Sequence, residues 1–97
     1  MTITQLVQEA HLTAIEKGWW DRHRSILECY ALIHAELSEA TEAFRRGDTR
    51  HQVKELADVV IRIGDLCGRY SWDLEDAVVE KMKFNKTRSY RHGGLNA

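Results

Sequence analysis

The feature that most constrains this chain is the spacing of its apolar residues. Ile26, Tyr30, Ile33, Leu37, Ala40 and Phe44 follow one another at alternating steps of four and three. Such steps keep returning to one side of an α-helix, whereas a strand repeats every two residues. The same rhythm runs through Ile3, Leu6, Val7, Ala10 and Ala14, through Val53, Leu56, Val59, Val60, Ile63, Leu66 and Cys67, and through Leu74, Ala77, Val78 and Met82. No stretch alternates convincingly with period two, and there is no proline to interrupt a helix. The pattern predicts an all-α fold of four helices in a single domain spanning residues 1–97.

Polar residues punctuate the four segments. Thr2 with Gln5, Ser25 with Glu28, and Thr49 with Gln52 have the spacing in which a hydroxyl and a carboxylate or amide satisfy the free N–H groups of a helix start. Asp73 is the expected N-cap of the fourth helix. Gly18 and Gly47 are natural left-handed stops for the first two helices, and the third is expected to fray near Gly68. The fourth should end at about Asn85, leaving residues 86–97 as a polar, basic tail. Between the second and third helices only Gly47, Asp48 and capping residues remain, a loop so short that the two helices must lie antiparallel as neighbours.

Composition narrows the partners. A formal net charge of −1 argues against a long nucleic acid, whose affinity comes largely from phosphate neutralisation. The longest apolar run, residues 29–33, is far shorter than the roughly 20 residues needed to cross a bilayer. With no basic-then-apolar leader pattern, the expectation is a cytoplasmic protein without a membrane partner. Cys29 and Cys67 have no CxxC pairing and read as small core residues rather than a zinc or disulfide framework. At 97 residues the core is small, and wide apolar stripes predict completion by self-association, with a homodimer as the minimum.

The chemistry gathers on the central pair. Glu36 and Glu39 lie three apart on the second helix, and Glu55 and Asp58 three apart on the third, so each pair can aim at one point. At about 100° per residue, both pairs stand roughly 80° and 140° to the same side of their helix's apolar centre. Equal offsets of equal hand on antiparallel helices bring all four carboxylates to one face. Four gathered carboxylates repel one another, and a hard divalent cation with oxygen ligands, Mg²⁺ first, relieves that. The plainer alternative is that acids at this spacing simply populate a solvated face, with Lys54 or Arg62 neutralising the third-helix pair. No glutamate has a histidine three positions later, and none of the five histidines falls in HxxxH or HExxH spacing, which disfavours di-iron and zinc sites.

Two further groups are ambiguous from sequence. Lys81, Lys83, Lys86, Arg88 and Arg91 are joined by no acid from position 81 onward, and Lys81 shares a face with Asn85. They could grip phosphate, but taken in isolation a solvated basic tail is the favoured reading. Trp19 and Trp20 suit a base-stacking wall or a plug at the bundle's end.

Taken together, these residues resemble a known family. The run Leu32-Ile33-His34-Ala35-Glu36-Leu37-Ser38-Glu39-Ala40, then Lys54-Glu55-Leu56-Ala57-Asp58-Val59-Val60-Ile61-Arg62, then Glu80-Lys81-Met82-Lys83-Phe84-Asn85-Lys86-Thr87-Arg88, with Arg91-His92-Gly93-Gly94 closing, is similar to the MazG-like nucleoside triphosphate pyrophosphohydrolases. The resemblance covers about residues 17–94. It implies a four-helix MazG-like bundle completed by oligomerisation as dimer or tetramer. It also implies Mg²⁺, with Mn²⁺ able to substitute, and hydrolysis of nucleoside triphosphates, deoxyribonucleotides first among them, to monophosphate and pyrophosphate. Glu36 and Glu39 match the second and third acids of the family's EExxE, and Glu55 and Asp58 its ExxD. Ala35 stands where the first acid belongs. The resemblance makes all four acids metal ligands, Glu36 or Glu39 the group that takes the proton from water, and Lys81, Asn85, Lys86 and Arg88 the phosphate contacts. Ser89 stands where similar sequences often have proline, and Trp20 falls at the base-side wall. Two alternatives remain: a helical interaction module with an acidic face, and a nucleotide binder without turnover, for which Ala35 is the motive.

Overall fold

A computed structural model describes residues 1–89, which form four α-helices and no strand: α1 (Ile3–Glu16), α2 (Ile26–Arg45), α3 (Thr49–Tyr70) and α4 (Leu74–Thr87). The predicted tail falls mostly on residues 90–97, outside the described residues, as does the Arg91-His92-Gly93-Gly94 motif. Lys86 and Thr87 belong to α4 rather than to a tail, because nothing in the sequence stops the helix at Asn85.

Two of the four predicted caps form as read and two differ in detail. Thr2 and Gln5 make the full reciprocal box, and Asp73 accepts from the Asp76 N–H. Ser25 accepts from the Glu28 N–H, but the Glu28 carboxylate turns instead to Arg22 and Arg24, at 2.7 and 2.8 Å. At the third start the cap is Asp48, one residue earlier than Thr49, and its carboxylate accepts from the His51 N–H at 2.9 Å. A charged acceptor gains from the helix dipole as well as from the hydrogen bond, so it outcompetes the hydroxyl.

Helix ends explain the glycines. Gly18 (φ 82°) and Gly47 (φ 71°) are left-handed and let the following N–H reach back to Ala14 and Ala43, the closing bonds of α1 and α2. α3 does not fray at Gly68. It continues to Tyr70 and stops where Ser71 adopts φ 56°, while the Trp72 N–H bonds to the Cys67 carbonyl. Gly64 and Gly68 act instead as crossing points. A Cβ on Gly64 would lie 2.7 Å from Leu6 Cδ2, and one on Gly68 would lie 2.6 Å from His11 Cβ and 3.2 Å from the Val7 carbonyl. At Gly68 the missing side chain is what lets α1 settle on α3, whereas at Gly64 only the flexible end of Leu6 would have to yield.

α2 and α3 run antiparallel, as the short loop requires: Cys29 shares a pocket with Leu66, while Glu36, later in α2, meets Arg62, earlier in α3. Val7, Cys29, Ala40, Ala43, Leu66 and Cys67 are the buried apolar residues of this body, and both thiols are free. α4 docks by its first half. Leu74 and Val78 face Ile3, Leu6, Val60 and Ile63 across an apolar groove, and Glu75 accepts from the Thr4 N–H at 3.1 Å. From Val79 to the end of the helix every residue is exposed. Among the described residues no helix is long and apolar enough to cross a membrane.

Candidate metal centre and cleft

The antiparallel packing of α2 on α3 brings Glu36 across to Glu55 and Asp58, with one carboxylate oxygen from each lying within 4.8 Å of the others. Glu55 and Asp58 are presented by one turn of α3, and Glu36 arrives from the facing turn of α2. Glu39 is exposed on α2 and contributes no oxygen to this set. Of the two α2 acids, Glu36 is half-buried and turned toward α3, whereas Glu39 faces solvent. Two basic side chains already touch the group. Arg62 Nε donates to Glu36 Oε1 at 2.8 Å, and His51 Nε2 lies 3.1 Å from Glu55 Oε1. Arg62 therefore pairs across the helix interface rather than with the acids of its own helix.

The donor set suits a hard cation. All three ligands are oxygens, and oxygens bound to one ion can stand at most about 4.2 Å apart around Mg²⁺ or about 5 Å around Ca²⁺, twice the usual metal–oxygen distance. A separation within 4.8 Å therefore needs at most a small contraction for Mg²⁺.

Beside these acids lies an open cleft of about 440 Å³ between α1 and the α2–α3 pair. Ala10, Thr13, Ala14 and Lys17 form its α1 wall; Glu36, Asp58, Ile61, Arg62 and Asp65 form the other; Trp19 closes one side. Ala10 and Ala14 are one turn apart, so their small side chains leave room along one stripe. Asp58, Arg62 and Asp65 follow at i, i+4 and i+7, placing charges of alternating sign along the facing helix.

Asp65 belongs to neither acidic pair, and it organises the inner end. It is buried, and its Oδ1 accepts from Trp20 Nε1 at 2.9 Å and meets His11 Nδ1 at 2.9 Å. A buried carboxylate without such partners would be costly. Its signal was present: an acid sits inside the apolar run of α3, seven residues after Asp58. Trp20 is held by this bond with Arg69 4.7 Å from its ring, in a small pocket with Cys29 and Leu32. Its neighbour Trp19 lines the main cleft, with the guanidinium of Arg24 at 3.8 Å and that of Arg62 at 4.7 Å from its ring centroid.

Lys81, Asn85, Lys86 and Arg88 stand on or just after the outer half of α4, and none of them lines the cleft. Lys81 and Arg88 lie over the Phe84 ring instead, at 5.5 and 5.4 Å. Cys29 and Cys67 have thiols pushed above their ordinary pKa, in both cases chiefly by burial, which suits packing rather than nucleophilic chemistry. Compared with known proteins, the chain matches no family model, no curated protein and no solved structure.

Proposed function

We propose that the protein is a divalent-cation-dependent nucleoside triphosphate pyrophosphohydrolase of MazG-like type, converting a (deoxy)nucleoside triphosphate and water to the monophosphate and pyrophosphate. The observation that carries the reading is the convergence of Glu36, Glu55 and Asp58 at the edge of a cleft large enough for part of a nucleotide. The sequence resemblance supports it, since these are three of the four acids with which this chain matches the family pattern.

In this reading Glu36, Glu55 and Asp58 hold Mg²⁺, with Mn²⁺ able to substitute. When bound, the ion supplies polarisation of the phosphoryl oxygens and a lower pKa for a coordinated water. Water attacks the α-phosphorus, the bond from that phosphorus to the α–β bridging oxygen breaks, and pyrophosphate leaves with the electron pair. Glu39, outside the ligand set, has a carboxylate free to take the water's proton; Glu36 is the other candidate. The cleft walls orient the nucleotide, and Trp19, its ring faced by the guanidinium groups of Arg24 and Arg62, is part of them.

Self-association belongs to the same reading. Leu37 and Phe44 on α2 and Val53, Leu56 and Val60 on α3 follow helical spacing and remain exposed, Phe44 at 69% and Val53 at 61%. Covering them in a homodimer or tetramer completes a core that is thin within one chain. Light scattering on the eluted protein checks this, and a monomer at all concentrations refutes it.

The activity test is pyrophosphate release from a panel of nucleoside triphosphates with and without Mg²⁺. Metal-dependent release that falls by about a hundredfold in Glu55→Gln is expected, by analogy with the loss of one transition-state stabilising group. No metal-dependent release on any nucleotide, or unchanged release in that variant, refutes the enzyme. Ala35 favours a second reading, a nucleotide binder without turnover; stabilisation by Mg²⁺ with a nonhydrolysable triphosphate, but no release, would select it.

A further inference from the structure

We propose that Arg62 and Lys17 are the phosphate grip of the cleft, and that Arg62 holds Glu36 only until a divalent cation takes that carboxylate. This rests on the nucleotide reading of the site and identifies which cations of the chain serve it. Polyphosphate beside Glu36, Asp58 and Asp65 needs positive charge from the walls as well as from a metal. The α4 cations do not line the cleft, whereas Lys17 enters it from α1 and Arg62 from α3.

Both side chains are available. Among the described residues Arg62 spends only its Nε–H, on Glu36, leaving the Nη donors of its planar fork without a protein acceptor. That fork matches phosphate oxygens in pairs. Lys17 is exposed at the C-cap of α1 and has no acidic partner within salt-bridge distance among the described residues. Arg62 also lies one turn beyond Asp58 on the same face of α3, so it reaches the metal end of the cleft without any movement of the backbone.

The exchange follows from charge. With Glu36 paired to Arg62, the acid cluster is partly neutralised. Were Glu36, Glu55 and Asp58 to hold a divalent cation, the Glu36 oxygen would be taken from Arg62, whose guanidinium would stay beside the cleft with its donors turned to phosphate. Trp19, 4.7 Å from Arg62, is placed to report the change by fluorescence.

The test uses the full chain, Mn²⁺ alone as the metal probe, and inorganic tripolyphosphate with Mg²⁺ as the phosphate probe, both by calorimetry. Arg62→Gln should bind Mn²⁺ several-fold more tightly than wild type and tripolyphosphate about tenfold more weakly, with Arg62→Lys restoring part of the latter. Lys17→Gln should leave Mn²⁺ affinity unchanged and weaken tripolyphosphate several-fold. Should Arg62→Gln not fold, Lys17→Gln, at an exposed cap position, decides alone. Arg62→Gln loosening Mn²⁺, or neither variant weakening tripolyphosphate while Lys86→Gln does, overturns the grip and leaves the hydrolase reading standing. A wild-type protein that binds neither probe overturns both.

Discussion

Gly64 and Gly68 look equivalent in sequence, two glycines one turn apart in α3, yet the structure predicts opposite responses to alanine. At position 68 the new methyl would sit 2.6 Å from His11 Cβ, 3.0 Å from His11 Cγ and 3.2 Å from the Val7 carbonyl oxygen. That first contact is about 1 Å short of a comfortable carbon–carbon separation. His11 Cβ is one bond from the backbone, so relief requires α1 itself to move. Movement strains the His11–Asp65 contact at 2.9 Å as well. At position 64 the tight contact, 2.7 Å, is with Leu6 Cδ2, the far end of a flexible side chain beside an apolar groove, and the nearest backbone atom is at a comfortable 3.6 Å.

Alanine gains about 1 kcal/mol of helix propensity at either site. Overpacking costs about 1–3 kcal/mol where the backbone must yield, and a strained polar contact adds about 1 kcal/mol. Gly68→Ala should therefore lose about 1–3 kcal/mol, while Gly64→Ala should fall within about 1 kcal/mol of wild type and on the stabilising side. For a domain of this size each kcal/mol moves the melting temperature by about 4–8 °C. Urea titrations followed by circular dichroism at constant slope check the pair. A Gly68→Ala protein as stable as wild type, or a Gly64→Ala protein less stable than Gly68→Ala, would refute the assignment of these glycines as unequal crossing points.

Trp20→Phe keeps an aromatic ring but removes the N–H donated to buried Asp65, and thermal melting should show a loss of about 1–2 kcal/mol; a neutral result would mean the bond is dispensable. Glu28 is held below its ordinary pKa of 4.5, first by the hydrogen bond from Arg22 and further by Arg24, against the opposing effect of desolvation. Because the folded value is the lower one, its contribution is present above pH 4.5 and fades as pH falls further, so Glu28→Gln should flatten the acid limb of a melting-temperature profile. An unchanged limb sinks that account. Cys29 and Cys67 should resist a thiol reagent at neutral pH until denaturant is added, since both are buried and their thiols are raised; stoichiometric labelling of the native protein would contradict it.

The helices and most of the acid site could be read from the chain because both depend on local periodicity. The steps of three and four specify which residues share a face, and a loop of three residues leaves α2 and α3 little choice but to pair antiparallel. Those two facts suffice to bring Glu36 toward Glu55 and Asp58. They do not specify which of the two α2 acids turns inward, and the packed helices include Glu36 and leave Glu39 exposed.

The remainder depended on contacts between segments distant in sequence. Gly68 could be read as a stop because a glycine's local meaning is freedom of φ; only the approach of His11 shows that its value here is a missing side chain. Arg62 could be placed beside Asp58 by spacing, but its bond to Glu36 and its place over Trp19 needed α2 and the loop after α1 in position. The same holds for Asp65, whose burial is tolerable only because His11 and Trp20 arrive from α1 and that loop. Periodicity along one chain thus determined the helices and their acidic faces. The cleft, its cations and its buried carboxylate were decided by how α1 crosses the α2–α3 pair, since close contact between elements is governed by shape and partner satisfaction that no single segment carries.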